Sequence, residues 1–145
     1  AASRKRASWC STRFRVCPNS SKPTRPNSCV HPSAIVNNAS VLGWRAQEGQ
    51  SHYAAAKAGV MALTRCSAME AAAHGVRVNA VSPSLATHEF LAKVTPQGLL
   101  DQLTAREAFG RGAEPWEVAN VIVFLASDLA SYMTGECVAV SSQHP

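Results

Sequence analysis

The chain has 145 residues, a length that fits one globular domain, and its 46% hydrophobic and 16% charged residues are the balance of a folded protein. The net charge of +5 comes from the first 33 residues, which hold seven bases and no acid, whereas residues 34–145 hold seven bases and nine acids. We therefore predict no nucleic-acid partner for the folded part, and no membrane partner, because no apolar run approaches the ~20 residues that cross a bilayer.

Residues 1–33 lack the pattern of a folded element. Seven serines and four prolines accompany the bases, and no strand or helix period is visible. Such a composition cannot bury enough apolar surface to offset the entropy of ordering the chain. We interpret this segment as disordered or foreign sequence, from a truncated or misread upstream region. The alternative is an organellar transit peptide, which is rich in Arg and Ser and poor in acids.

The number and spacing of the cysteines bear on the cellular compartment and do not indicate a metal site. There are five, and no Cys-x-x-Cys pair occurs, so we predict no metal centre. An odd count without a recognisable secretory signal favours a reducing compartment. We therefore expect a cytoplasmic protein, with organellar import through the basic segment as the alternative.

The folded part begins with a strand, a long helix and a second strand. Residues 34–39 are a short apolar run, compatible with a buried parallel strand. An alanine-rich helix is predicted for Ser51–His74, with Ser51 as its N-cap and Gly75 just after its end. The next strand is predicted at residues 76–82, where a proline ends it.

The remaining sequence predicts a flap, a further helix and a last strand. Residues 87–112 carry scattered apolar side chains and are predicted to form a mobile helical flap. A helix is predicted to begin at Glu114, because Pro115 suits its first turn and acids complement the helix dipole there. Residues 136–140 form the last predicted strand. The core-facing stripe of the helix consists of Val118, Val121, Ile122 and Leu125.

A hydroxyl, a phenol and an amine stand at a suggestive spacing in the first half. Tyr53 and Lys57 are four residues apart, so on a helix their side chains lie on one face. A neighbouring ammonium favours the phenolate form of a tyrosine, which can then exchange a proton with a substrate. Ser40, which follows the first strand, can hydrogen-bond the substrate oxygen. These are the parts needed to reduce a carbonyl or oxidise an alcohol, although such a pair is also common on ordinary helix surfaces.

Five segments add weight to the chemical interpretation by their order and spacing. They are Ser40-Val-Leu-Gly with Gln50-Ser-His-Tyr53-Ala-Ala-Ala-Lys57-Ala-Gly59, Gly75-Val-Arg-Val-Asn-Ala-Val-Ser-Pro83, Glu114-Pro-Trp-Glu-Val-Ala, and Phe124-Leu-Ala-Ser-Asp-Leu-Ala-Ser-Tyr-Met-Thr-Gly135. Together they resemble the short-chain dehydrogenase/reductase family, and most of all its 3-oxoacyl-thioester reductase-like members. The resemblance covers roughly residues 34–142, the C-terminal half of such a protein.

The resemblance implies an α/β fold, with a Rossmann-like parallel sheet and flanking helices. Residues 34–145 would be the C-terminal half of this domain, and the N-terminal cofactor-binding half would be missing. It further implies an NAD(P)-dependent oxidoreductase in which Ser40, Tyr53 and Lys57 are catalytic. The NAD or NADP cofactor would be bound by Tyr53, Lys57, Pro83 and Thr87.

The resemblance also implies partners, and the sequence departs from the family in two places. The substrate would be a small carbonyl or alcohol compound, such as an acyl-thioester, a steroid or a similar apolar molecule. A homodimer or homotetramer would form through the Ser51–His74 helix. Ser84 stands where the family has glycine, and no Gly-x-x-x-Gly-x-Gly turn for pyrophosphate occurs. The alternative is a truncated, catalytically inactive fragment that acts only as a dimerising structural module.

Overall fold

The computed structural model describes residues 33–142. The interpretation of residues 1–32 as disordered, foreign or targeting sequence lies outside the described residues.

Three parallel strands form the sheet, in the order β1-β2-β3. They are β1 (Ser33–Asn38), β2 (Val76–Pro83) and β3 (Cys137–Val140), and each begins or ends within one residue of its predicted bounds. Within the described part of the chain, β1 pairs only with β2, and β2 lies between the other two strands. The predicted α/β class, with a parallel sheet and flanking helices, is confirmed.

Helix α1 (Ser51–Ala71) continues through a 3-10 turn at Ala72–His74. Gly75 ends this unit at a φ of 71°, as its position predicted, because glycine adopts left-handed backbone without steric cost. The prediction of Ser51 as the N-cap is wrong. The N-cap is Gln50, whose carbonyl oxygen accepts the N–H of Ala54 at 2.8 Å. Ser51 is therefore the first helical residue.

The two faces of the sheet pack against different helices. On one face Ala80 of β2 packs with Met61 of α1 and with Ala39. On the other face Val81 packs with residues of helix α4 (Pro115–Ala126). Neighbouring residues of a strand point to opposite faces, so β2 is buried on both sides, as the central strand of a parallel sheet must be.

Helix α4 follows the sequence prediction closely. Proline occupies its first turn, and Glu114 and Glu117 form a reciprocal capping box at its start. All four residues of the predicted stripe belong to the core on this face, with Leu125 fully buried and Val118 buried. At the other end of α4, the guanidinium of Arg77 donates to the carbonyls of Leu125 and Ser127 at 2.7 and 3.0 Å. These bonds satisfy carbonyls that the helix itself leaves unpaired.

The predicted flap contains two helices, α2 (Glu89–Val94) and α3 (Gln97–Arg106). Its two ends are joined at their base by a parallel bridge between Ala86 and Ala113. Gly112 allows this contact, since a Cβ there would lie 2.8 Å from Cγ2 of Thr87 and 3.2 Å from the carbonyl oxygen of Leu85.

No helix between residues 33 and 142 has both the length and the apolar character needed to cross a membrane.

Candidate active site

Four of the five residues singled out from the sequence line one cleft. Ser40 follows β1, Tyr53 and Lys57 lie in the first two turns of α1, and Pro83 ends β2. The cleft has a volume of about 340 Å³ and opens at the carboxyl ends of the first two strands. Ligands of open α/β sheets bind at this end, where the loops that follow the strands diverge.

Ser40 is held by its own backbone geometry and by a turn. The residue is extended, only 7% exposed, and caps the 3-10 turn Val41–Gly43. Its Oγ accepts the N–H of Leu42 at 3.2 Å. Since this bond uses the oxygen as an acceptor, the hydroxyl proton can be donated to an oxygen in the cleft.

Tyr53 and Lys57 lie on one face of α1, as their spacing predicted. The Lys57 Nζ is 5.6 Å from the centroid of the Tyr53 ring, and it donates a 2.9 Å hydrogen bond to the carbonyl oxygen of Asn38. The lysine therefore reaches from α1 to the last residue of β1. Tyr53 is 39% exposed, so its phenol is accessible from the cleft. This arrangement puts a positive charge beside a phenol that a ligand can reach.

Thr87 is the predicted site residue that does not line the cleft. Its Oγ1 donates to the carbonyl oxygen of Ala113 at 3.2 Å, and its backbone N–H donates to the same oxygen at 2.9 Å. The side chain thus belongs to the base of the flap. A contact between Thr87 and a cofactor stays a prediction.

The rest of the cleft wall comes from residues that sequence reasoning did not select. The end of β2 and the flap contribute one face, and Pro115 and Val118 of α4 complete it. Most of these side chains are apolar, and none belongs to a catalytic motif. His88 differs from these side chains because it carries an imidazole ring. The sequence signal that could have identified it is its position just before a short helix. The flap side consists of Ser84, Leu85, Ala86, His88 and Leu91.

Residues 33–142 contain no group of three or more His, Cys, Asp or Glu side chains placed to hold a metal ion. The two cysteines in this range, Cys66 and Cys137, are free thiols. Burial raises the pKa of the Cys137 thiol, which keeps it in the unreactive protonated form. The polar side chains that line the cleft include the Ser40 hydroxyl, the Tyr53 phenol and the Lys57 ammonium.

Comparison with known proteins identifies the family of this chain. Residues 14–142 match the family model described as enoyl-(acyl carrier protein) reductase. The chain belongs to the short-chain dehydrogenase/reductase family. The predicted resemblance is confirmed.

Three short-chain dehydrogenase/reductase relatives show how much of such a protein is present. A (5R,7aS)-5-hydroxy-7a-methyl-1-oxo-2,3,5,6,7,7a-hexahydro-1H-indene-carboxyl-CoA reductase of Mycobacterium tuberculosis is 72% identical over 79% of this chain and 44% of its own length. A cis-4-hydroxycyclohexanecarboxylate dehydrogenase of Sinomonas cyclohexanicum is 47% identical over 80% of this chain and 46% of its own. The crystal structure of a short chain dehydrogenase from Mycobacterium smegmatis matches with a TM-score of 0.60 and 64% identity, over 77% of this chain and 38% of that chain. The chain thus spans less than half the length of the relatives it matches.

Proposed function

We propose that residues 34–145 are the C-terminal half of a short-chain dehydrogenase/reductase domain, and that they carry the reacting side of its active site. The reaction is the NAD(P)-dependent reduction of a carbonyl or oxidation of an alcohol. The observation that carries the proposal is the convergence of Ser40, Tyr53 and Lys57 on one cleft, from two separate elements of the fold. Family membership supports the same class of chemistry.

Each of the three side chains has a role that its surroundings support. The Tyr53 phenol exchanges a proton with the substrate oxygen. The Ser40 hydroxyl donates a hydrogen bond to that oxygen, while one of its two lone pairs accepts the Leu42 N–H. The ammonium of Lys57, anchored on the Asn38 carbonyl, places a positive charge 5.6 Å from the centroid of the Tyr53 ring, beside the point of proton exchange. Holding the three groups in one cleft lowers the entropic part of the barrier.

NAD or NADP fits the cleft only in part. When bound, its nicotinamide ring supplies or accepts the hydride. Lys57 and Tyr53 offer donors for the hydroxyls of the adjoining ribose, and Pro83 and Thr87 are the proposed contacts beside the ring. The sequence has no Gly-x-x-x-Gly-x-Gly turn to hold the pyrophosphate, so we assign only the nicotinamide-ribose end of the cofactor to this chain.

We propose a cyclic substrate that bears a hydroxyl or keto group on the ring and a carboxyl group, free or as a CoA thioester. Two relatives support this class. One is named for a hydroxylated, oxo-substituted indene-carboxyl-CoA, and the other for a hydroxycyclohexanecarboxylate. The apolar side chains of Leu85, Ala86 and Leu91 line the cleft where a carbocycle would lie. The proposed class of cyclic compounds is narrower than the prediction from the sequence, which was an acyl-thioester, a steroid or a similar apolar molecule.

We also propose that the protein is cytoplasmic and assembles through α1 into a homodimer or homotetramer. Leu63 and Met69 of this helix are 59% and 82% exposed in the described chain. An alanine-rich helix with such side chains offers a partner a close, apolar contact surface. The location follows from the cysteine usage alone.

A catalytically inactive, dimerising module is the second candidate. It is the alternative to the enzyme because these 145 residues contain no Gly-x-x-x-Gly-x-Gly turn for a pyrophosphate. Intact-mass measurement of the protein from cells, together with a cofactor-binding assay, distinguishes the inactive module from the enzyme. A 145-residue species that binds neither NADH nor NADPH supports the inactive module, whereas a longer species that binds either cofactor supports the enzyme.

The test of the catalytic assignment is Tyr53→Phe in the complete enzyme that carries this sequence. We expect turnover to fall by at least about 100-fold, since the proton donor is lost. Binding of NADH, measured by fluorescence titration, should persist because Lys57 remains. Turnover equal to that of the wild type would refute the assignment.

A further inference from the structure

The side-chain amide of Asn38 is a polar group that the proposed reaction does not use. Asn38 is the last residue of β1, and it lines the same cleft as Ser40, Tyr53 and Lys57. Its backbone carbonyl accepts the Lys57 ammonium at 2.9 Å. The residue is exposed, and its side chain forms no hydrogen bond to any residue in the range 33–142. The amide is therefore accessible to a ligand in the cleft.

The alternation of side chains along β1 places this amide on the α4 side of the sheet. The preceding residue, Asn37, donates from its side chain to Thr64 of α1 at 2.9 Å. Consecutive side chains of a strand point to opposite faces, so the side chain of Asn38 lies on the other face. Its partner in the register is Val81, which packs in the core with Val118 of α4. The amide and the helix that carries the proposed phenol and ammonium thus lie on opposite faces of the sheet.

The cleft wall on this side is apolar, and Asn38 adds an acceptor to it. Pro83 at the end of β2, with Pro115 and Val118 of α4, forms this part of the wall. The three groups assigned to the reaction, two hydroxyls and an ammonium, can all donate to a ligand. The amide offers the acceptor Oδ1 next to the donor Nδ2. A primary carboxamide carries the same two groups, so two amides can join through a pair of hydrogen bonds.

We propose that the side-chain amide of Asn38 binds the carboxamide of the nicotinamide ring. The proposal rests on the proposed function, which assigns the adjoining ribose to Lys57 and Tyr53 and places the ring beside Pro83. Because Lys57 is bonded to the backbone of Asn38, one residue serves two neighbouring parts of the cofactor. Holding the carboxamide fixes the rotation of the ring, and with it the ring face that is turned towards the substrate.

Two substitutions separate ligand binding from a structural effect. Asn38→Ala removes the amide and keeps the backbone carbonyl that holds Lys57. Since the amide bonds nothing within the described part of the chain, the unfolding temperature should change little. Asn120→Ala is the matched control, because it removes an exposed amide from α4 that does not line the cleft.

The experiment measures cofactor binding to the complete enzyme by isothermal titration calorimetry, without substrate. The probes are NADH or NADPH, whichever binds, and the 3-acetylpyridine analogue of the same reduced cofactor, in which a methyl group replaces the carboxamide NH2. We expect the wild type to bind the natural cofactor about tenfold more tightly, because the analogue leaves Oδ1 of Asn38 without a partner. In Asn38→Ala the natural cofactor should lose at least about tenfold in affinity, and the preference over the analogue should disappear. Asn120→Ala should keep the wild-type preference.

Two results would overturn the proposal and leave the proposed function intact. In the first, the wild type binds the natural cofactor and the analogue equally well, a comparison that needs no variant to fold. In the second, Asn38→Ala keeps the wild-type preference, which would mean that another group binds the carboxamide. If the wild type binds neither NADH nor NADPH, the proposal fails together with the proposed function. The turnover of Tyr53→Phe tests the catalytic roles separately.

Discussion

The α1 side of the cleft is bonded by side chains directly to the first strand of the sheet, whereas the flap side is fixed at its base, by backbone bonds and by the side chains of Glu107 and Arg111. Asn37 of β1 donates to Thr64 of α1 at 2.9 Å, and Lys57 of α1 donates to Asn38. None of the ten residues of α3 is buried, and the flap is tied to the fold through Ala86 and Ala113. The proposed reacting groups thus lie on the wall that is bonded directly to β1, and the flap forms the other wall.

Gly112→Ala is the sharpest way to disturb the flap wall alone. The new Cβ would lie 2.8 Å from Cγ2 of Thr87, so the base of the flap must shift. We expect a loss of about 1–3 kcal/mol in the free energy of unfolding, measured by urea denaturation, together with a raised KM.

Two further variants complete the test of Gly112. Gly98→Ala is the matched control, because a Cβ there meets nothing within 4 Å, and alanine should stabilise α3 by roughly 0.5–1 kcal/mol. Adding Thr87→Ser to Gly112→Ala removes the methyl group that clashes and should recover part of the loss. Equal stability of Gly112→Ala and the wild type would show that the flap base is not tightly packed.

The opposite wall can be tested with two buried hydroxyls that differ in their partners. Oγ1 of Thr64 accepts from Asn37 and donates to the Val60 carbonyl at 2.8 Å, whereas Oγ of Ser82 has no hydrogen-bond partner among the described residues. Thr64→Val should therefore cost about 1–2 kcal/mol of unfolding free energy, since it leaves the Asn37 amide without its acceptor. Ser82→Ala should instead stabilise the fold by about 1 kcal/mol. Thermal denaturation of both variants checks the contrast, and equal shifts of the same sign would contradict it.

The smallest expected effect concerns the ion pair between the flap base and α4. Arg111 donates to both carboxylate oxygens of Glu117 at 2.7 and 2.8 Å, and the N–H of Glu114 adds a further bond. The Arg111 hydrogen bond, followed by that N–H, lowers the pKa of Glu117 to about 2. Because the folded value lies below the value of about 4.3 in an unfolded chain, the stabilisation is present above about pH 4.3 and is lost as the pH falls towards 2.

Glu117→Gln should lack this part of the pH dependence. The difference in unfolding temperature between the variant and the wild type, followed from pH 7 to pH 2, should shrink as the pH falls below about 4.3 and be smallest at the acid end. Glu70→Gln, which removes an exposed charge on α1, is the control. A constant difference between Glu117→Gln and the wild type over the whole range would mean that the ion pair does not contribute.

The sequence predicted the α1 wall well and the flap wall poorly, for a physical reason. The positions of Ser40, Tyr53 and Lys57 follow from local periodicity, since a strand end and two neighbouring turns of one helix suffice to place them. The flap depends on where two distant stretches meet, which no local pattern encodes. Thr87, predicted from the resemblance as a cofactor contact, bonds to Ala113 at the base of the flap, and its contact with a cofactor stays a prediction.

Helix starts show the same limit on a smaller scale. The capping box at Glu114 was foreseeable in part, because proline and acids mark the start of α4. The start of α1 depends on the turn that precedes it. The side-chain type predicts Ser51 as the N-cap, whereas Gln50 is the N-cap in the structure. Side-chain preference alone does not reveal which carbonyl accepts the first helical bond.

The hydrogen bond between Lys57 and the Asn38 carbonyl couples the cleft to the rim of the sheet. Asn38 is the last residue of β1, and among residues 33–142 that strand has only one neighbour. A further strand paired with β1 would fix the orientation of the last peptide groups of β1. It would thereby also fix the position of the Lys57 ammonium, which is bonded to one of them. The charge that Lys57 brings to the cleft is therefore positioned by one backbone oxygen at the end of β1.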